Sequence, residues 1–391
     1  LPTHCPTTIF PQSYGLGSTW DTDLVQKVAE QAAEEARYYM QTTGNKRHAL
    51  VMRAPNADLA RDPRWGRTEE SFGEDAFLTA QLTIASVRGR QGNPHSAYYK
   101  HPHPRCDNPA SLMKHFLANS NEDGRDSTSS DFDTRLFHEY YAYPFYKGIT
   151  EGGSRAFMAA YNSWNGIPMS IHPCLEEITR KQWGNNGIIC TDGGALKLLI
   201  EAHKSFPSFA EGDAAEVKAT TGQFLDAYVP YVKEALEKGL LTEVDIDKAI
   251  RGNIFVALKL GLLDGDNSRN PYLSIGKNST ETPPFMTAEA RRLAREVTAK
   301  SVVLLKNKKL LPLDAGKLRK IAVIGPYSDK IVQDWYSGTP PYETTILSGI
   351  RNAVKEGTEI IHAEDNRMGQ AEKAAAAADV AIACVGNHPY Q

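Results

Sequence analysis

Cysteine is scarce in this chain of 391 residues, with five in all, at Cys5, Cys106, Cys174, Cys190 and Cys384. Odd in number, scattered and without a CxxC pair, they point to neither a disulfide framework nor a zinc site. Long apolar runs are missing as well. No stretch approaches the roughly 20 residues a membrane helix needs, so no membrane partner is expected. Charge of one sign is not in excess: 44 basic and 47 acidic residues leave a formal net charge of −3. That balance gives no electrostatic reason to expect nucleic acid as a partner. The opening stretch LPTHCPTTIFPQSYG has no initiator Met, basic n-region or apolar h-region, and so is not a signal peptide. Both ends read as abrupt, and the expectation is a chain truncated at each.

What is present supports a well-filled core. The hydrophobic fraction is 41% against 23% charged, which argues against disorder, and the length alone predicts two or three domains. From residue 21 to about 264, amphipathic helices alternate with short apolar runs. The first helix starts near Asp21, with Leu24, Val28, Ala32, Ala36 and Tyr39 on one face. Strand-like runs at HALVMRAPNAD, SLMKHFLANS, RAFMAAYNSWNG and GIIC each dissolve into a polar cluster on the C-terminal side. Such alternation predicts a parallel sheet with crossover helices. Polar groups at C-terminal strand ends are where a (β/α)8 barrel places its chemistry, although an open doubly wound sheet alternates in the same way. Helices through AEVKATTGQFLDAYVPYVKEALEKG and DIDKAIRGNIFVALKLG close this part. We divide the chain into a domain over 1–264, a polar linker over 265–286 and a partial α/β domain over 287–391, the last opening on a helix EARRLAREVTAKSVVLL. Asn278-Ser279-Thr280 within the linker is a glycosylation sequon.

Four clusters carry candidate chemistry. In RDPRWGRTEESFGED most charges read as a salt-bridged surface loop, yet the Arg–Trp–Gly–Arg turn can aim a guanidinium at sugar hydroxyls. In SLMKHFLANSNEDGR, Lys114 and His115 close an apolar strand where burial without partners is costly, and Asn119, Glu122 and Arg125 follow. In FMAAYNSWNG, Tyr161, Asn162 and Trp164 set aromatic faces beside an amide, which suits a sugar; Trp164 also reads as an ordinary core aromatic. In GIICTDGGAL, Asp192 ends an apolar strand ahead of two glycines that permit close approach. The competing reading of Asp192 is a helix cap.

Taken in order, FPQSYGLGSTWD, RDPRWGR, ESFGED, KHF, AYNSWNG, WGNNGIICTDGG, SVVLLKN, LPL and AVIGP resemble glycoside hydrolase family 3, over essentially the whole chain. The resemblance implies a TIM-like (β/α)8 barrel, incomplete at its N-terminus, followed by the first part of an α/β sandwich domain. It implies a retaining, exo-acting β-glycoside hydrolase with Asp192 as nucleophile and Arg67, Lys114, His115 and Arg125 holding the sugar, with Tyr161 close to the nucleophile. Where the family often has an aromatic residue after the nucleophile, this chain has Gly193. An aspartate that grips the sugar is expected before residue 1, and the general acid/base beyond Gln391. No metal or organic cofactor is expected. The substrate is an oligosaccharide or aryl β-glycoside, with β-glucosidase ahead of β-xylosidase. A phosphorylase, a non-catalytic carbohydrate-binding protein and a lyase using Lys114 as a Schiff base stay open. A homodimer is also left open, and the compartment leans to periplasmic or secreted.

Overall fold

A computed structural model of the chain describes residues 5–43, 50–92, 106–263, 270–278, 280–334 and 336–387. The chain divides into two compact units, one over Phe10–Val302 and one over Pro2–Ile9 with Val303–Gln391. Residues 265–269 of the expected linker and Ser279 of the sequon lie outside the described residues.

The larger unit is α/β. Its first long helix, α1 (Thr22–Thr42), starts where the Asp21 carboxylate accepts the Leu24 N–H, and α2 (Ala76–Gln91) starts in the same way on Asp75 and Leu78. Strand β1 (Val51–Met52) precedes α2, and β2 (Ala110–Phe116) follows it. Then come α3 (Tyr143–Thr150), β3 (Ala156–Ala159), β4 (Ile188–Cys190) and α4 (Ala195–Glu201). The sheet order is β1-β2-β3-β4, and every pairing is parallel.

Both faces of this sheet are covered, which is why its strands are apolar apart from Ser111, Lys114 and His115 of β2. Met113, Phe157 and Ile189 pack with Phe116, Phe145 and Trp183 in one core cluster. Their neighbours Leu112, Met158, Ile188 and Cys190 face a second cluster with Val256 and Leu260. Trp164 sits in the first core, stacked on Phe137 at 4.4 Å and on His172 at 4.8 Å between ring centres. The core-aromatic reading of Trp164 therefore describes its surroundings.

Two helical expectations are corrected. The stretch AEVKATTGQFLDAYVPYVKEALEKG does not run as continuous helix. Helix α5 (Phe209–Lys218) stops, residues 222–226 lie alongside β4, and α6 (Val229–Glu237) starts afresh. The chain leaves the helix through Thr220 at φ +70°, and Gly222 then passes α7 (Glu243–Lys259), where a Cβ would stand 2.2 Å from the Ala249 carbonyl oxygen, so only glycine fits. Likewise α8 (Ala288–Ser301) ends before the β-branched pair Val302-Val303, and Val302 is extended.

The smaller unit contains the parallel strands β5 (Lys320–Ile324), β6 (Glu359–Ala363) and β7 (Val380–Ala383), with β5 in the middle. Helices α9 (Ile346–Ala353) and α10 (Gln370–Ala376) connect them. Residues 5–7 join this unit through backbone hydrogen bonds to Thr339.

On α5, Asp213 and Glu216 are both fully buried, and among the described residues neither Asp213 carboxylate oxygen has a hydrogen-bond partner. Burial pushes Asp213 up to about 7 and Glu216 well above its ordinary 4.5, with the Ser170 side chain offsetting the second only in part. A raised folded-state pKa contributes stability that is complete below the unfolded value and is lost as pH rises through the folded value. Glu216→Gln, of the same volume and never charged, is therefore expected to leave the unfolding midpoint unchanged at pH 3.5, below the unfolded value. At pH 8 it should raise stability by at least about 1 kcal/mol. Thermal unfolding at the two pH values checks this, and an equal effect at both would refute it.

Candidate active site

The site grows from the C-terminal ends of β2 and β4. Along β2, Met113 pairs with Phe157 but Phe116 pairs with Ala159, so Lys114 and His115 together oppose the single residue Met158. This bulge breaks the ordinary alternation of a strand and lets two consecutive side chains reach the same cluster. The Lys114 ammonium lies 3.0 Å from Glu70 Oε2. His115 Nε2 lies 3.0 Å from Arg67 Nη1 and 3.6 Å from Asp192 Oδ2.

Glu70 holds the cations in place. It accepts from Arg67 Nε at 2.7 Å and from Arg67 Nη2 at 2.8 Å, a two-point fork, while its Oε2 also meets Lys114. Burial opposes ionisation of Glu70, but the hydrogen bonds from Arg67 and the charge of Lys114 outweigh it and hold the carboxyl at about 2. Arg67 and Glu70 sit one 3-10 turn apart, at either end of Thr68–Glu70, which sets the spacing of the fork.

His115 is oriented from behind by Asp58. Its backbone N–H and its ring Nδ1 both meet Asp58 Oδ2, at 3.1 and 2.8 Å. Burial, with Arg67 and Lys114 alongside, lowers the imidazole pKa well below 6.5, so the ring is neutral at pH 7. Burial also pushes Asp58 up to about 7. With the Nδ1 proton on the Asp58 side, Nε2 is an acceptor and receives the Arg67 N–H.

Asp192 lies two residues beyond the end of β4 and differs from its neighbours in exposure: its side chain is 17% accessible, against 2% for His115 and 1% for Asp58. It is therefore the carboxylate that a ligand can reach. Its Oδ1 accepts the Gly193 N–H at 2.7 Å. Tyr161 Oη donates to the Gly193 carbonyl at 2.6 Å, and burial followed by the charge of Asp192 raises the tyrosine pKa. Arg125 lies over the outer face of Tyr161, 5.5 Å from the ring centre, and 3.8 Å from Glu122. Thus Arg67, Lys114, His115, Tyr161 and Asp192 come together, and Arg125 joins them through the tyrosine ring.

Other charges of the RDPRWGRTEESFGED loop lie outside this cluster. Arg64 pairs with Asp62 in the open, and Asp75 caps α2. Among the described residues, no group of three or more His, Cys, Asp or Glu side chains could hold a metal ion. No described helix is long and apolar enough to cross a membrane. A cluster of two buried cations, a neutral imidazole and one accessible carboxylate can bind a polyhydroxylated ligand and present an anionic nucleophile to it.

Sequence reasoning missed Glu70 and Asp58 as parts of the site. The Arg67–Glu70 spacing was a usable signal for the first. Asp58 has only its place just beyond an apolar run to mark it.

Comparison with known proteins bears on this geometry. The model of the glycosyl hydrolase family 3 N-terminal domain matches residues 4–252, and that of the family's C-terminal domain matches residues 302–391. The chain belongs to glycosyl hydrolase family 3. Among its family 3 relatives, a periplasmic β-glucosidase of Salmonella typhimurium is 34% identical over 374 residues, 92% of this chain and 45% of that protein. A β-xylosidase of Formosa agariphila is 30% identical, with 92% of this chain and 49% of that protein covered. The crystal structure of a β-glucosidase from Listeria innocua in complex with isofagomine aligns with a TM-score of 0.83 at 27% identity, over 99% of this chain and 52% of that one. The family 3 chain described here thus spans about half the length of the curated relatives it matches.

Removing Glu70 should expose how much the cluster depends on it. Glu70→Ala leaves Arg67 and Lys114 buried without their shared carboxylate, and breaking such a pair costs on the order of 3 kcal/mol. Urea unfolding monitored by tryptophan fluorescence checks the value. A loss below about 1 kcal/mol, the range of exposed ion pairs, would show that the cations do not depend on Glu70.

Proposed function

We propose that this chain carries the nucleophile and sugar-binding cluster of a retaining, exo-acting β-glycoside hydrolase, acting as a β-glucosidase with Asp192 as nucleophile. The observation that carries the reading is the accessible Asp192 carboxylate at a strand end, beside a neutral His115 and the Arg67–Glu70–Lys114 cluster. In this reading Asp192 attacks the anomeric carbon and the glycosidic bond breaks. The leaving oxygen takes a proton from a second carboxylic acid, and a covalent glycosyl-enzyme forms. Water then attacks the same carbon and releases the sugar with net retention. Arg67, Lys114, His115 and Arg125 hold the sugar hydroxyls, and Tyr161 steadies the turn that bears the nucleophile.

Family membership and relatives named as β-glucosidases support this reading. The β-xylosidase names among the relatives favour a second sugar, xylose, for the same machinery. We further read residues 1–264 as a TIM-like barrel, 265–286 as a linker and 287–391 as part of an α/β sandwich domain. The periplasmic relative supports a periplasmic or secreted location.

The test is incubation of the chain, and in parallel of any longer natural chain that contains it, with a 2-deoxy-2-fluoro-β-glucoside and the matching xyloside. Both bear an activated leaving group, which departs with little need for protonation. A fluoroglycosyl adduct mapped to Asp192 by mass spectrometry is expected, and Asp192→Asn should slow turnover by on the order of 10⁴-fold. An adduct on another carboxylate would overturn the assignment of the nucleophile. Sugar binding with no adduct on either chain would overturn the hydrolase reading.

A further inference from the structure

We propose that Asp226 is a positioning residue for Asp192: it holds the turn that aims the nucleophile and does not itself bind the sugar. The inference rests on the reading of Asp192 as nucleophile.

The turn after Asp192 has almost no packing of its own. A Cβ built on Gly193 would meet nothing closer than Tyr161 Oη at 4.0 Å, and one on Gly194 would meet nothing within 4 Å. Gly194 also sits at φ +78°, a region other residues adopt only with strain. Two side-chain-free residues in open space are held by hydrogen bonds or not held at all. The bonds are few. The Ala195 N–H reaches the Asp192 carbonyl at 3.3 Å, and Tyr161 Oη reaches the Gly193 carbonyl at 2.6 Å. The Gly193 N–H reaches Asp192 Oδ1 at 2.7 Å, and the Leu198 N–H reaches the Gly194 carbonyl at 3.0 Å. Asp226 supplies two more from outside the turn, with Oδ1 accepting the Gly194 N–H at 2.6 Å and Oδ2 accepting the Leu196 N–H at 3.3 Å.

The fold delivers Asp226 to that spot by a rigid path. Residues 222–226 extend the sheet beside β4: the Gly222 N–H donates to Ile189 O at 3.0 Å, and the Thr191 N–H donates to Gln223 O at 2.9 Å. The Leu225 N–H then donates to Thr191 Oγ1 at 3.1 Å. One residue later Asp226 is level with the nucleophile turn, and both its oxygens are engaged on backbone N–H groups. Such a carboxylate orients the backbone rather than the ligand. Loss of the clamp frees the Gly193–Gly194 peptide, and misplacement of a reacting group by about 1 Å costs about 100-fold in rate.

The experiment compares wild type with Asp226→Ala and Asp226→Asn in two measurements. The first is the rate of trapping by the activated 2-deoxy-2-fluoro-β-glucoside, together with the inhibition constant for glucose. The second is hydrogen exchange of the Gly194 and Leu196 amides, which needs no catalysis. For Asp226→Ala we expect trapping to slow 10- to 100-fold while glucose inhibition changes less than about 3-fold, and the two amides to exchange at least about tenfold faster. Asp226→Asn keeps one acceptor oxygen and should fall between. Trapping at the wild-type rate, whatever the exchange, would overturn the proposal, because the clamp would then be structural only. Loss of glucose binding in step with trapping would overturn it in favour of a direct sugar contact. Wild type that binds glucose but is never trapped would overturn the hydrolase reading itself, and the exchange result would then mark Asp226 as a cap without a catalytic role.

Discussion

Everything at the site depends on two cations being held beneath the surface by one shared carboxylate. Arg67 and Lys114 come from different segments, and neither could be buried beside an apolar strand end alone. Glu70 meets both, and its side chain is nearly as enclosed as theirs. In water a triad of this kind contributes little, but away from solvent its members are fixed because each would be costly to leave unpaired. The consequence for chemistry is geometric. Once the guanidinium is locked flat against Glu70, its remaining edge points at His115 Nε2, and His115 in turn stands beside Asp192. The accessible carboxylate therefore sits beside the end of this chain of contacts, 3.6 Å from the imidazole.

The turn after Asp192 follows the opposite principle. Where the cluster under β2 is rigid through charge, the turn after β4 is rigid only through hydrogen bonds to its backbone, since both of its central residues are glycines. The absence of side chains there leaves open space around Asp192 for a ligand. The same absence removes any packing that could fix the carboxylate, so anchors must arrive from elsewhere, from Tyr161 on one side and Asp226 on the other. Openness and precision are thus supplied by different segments, which is an ordinary arrangement for a loop carried on a rigid sheet.

How much of this was legible in the sequence follows from how local each feature is. Asp21 and Asp75 announce their helices because a cap acts within three residues. Asp192 was legible because an apolar strand followed by Asp-Gly-Gly constrains where the carboxylate can go. Lys114 and His115 stood out as polar residues closing an apolar strand, but not the bulge that turns both to one cluster, which depends on the register against β3. Asp58 and Asp226 were not legible. Their roles are set by partners 57 and 32 residues away, a bond to His115 and a bond to Gly194. The segment holding Asp226 was also disguised, since its apolar residues continue a helix-like pattern and only Thr-Thr-Gly interrupts it. Gly222 passes the backbone of α7 too closely for any side chain, a constraint that exists only once that helix is in place.

The choice of arginine at position 67 ties these points together. Its Nε and Nη2 engage both oxygens of Glu70 while Nη1 reaches the imidazole, so one planar group faces two partners at once in fixed directions. A lysine ammonium has three donors but no fork, and it could not hold the carboxylate bidentately and still present a directed N–H to His115. The imidazole must then be an acceptor at Nε2, which requires its proton on Nδ1. Asp58 takes that proton's hydrogen bond and burial keeps the ring uncharged. The identity of residue 67 thus fixes the tautomer of residue 115 through Asp58 behind it. The imidazole beside Asp192 is thereby fixed and uncharged, with both ring nitrogens engaged within the protein.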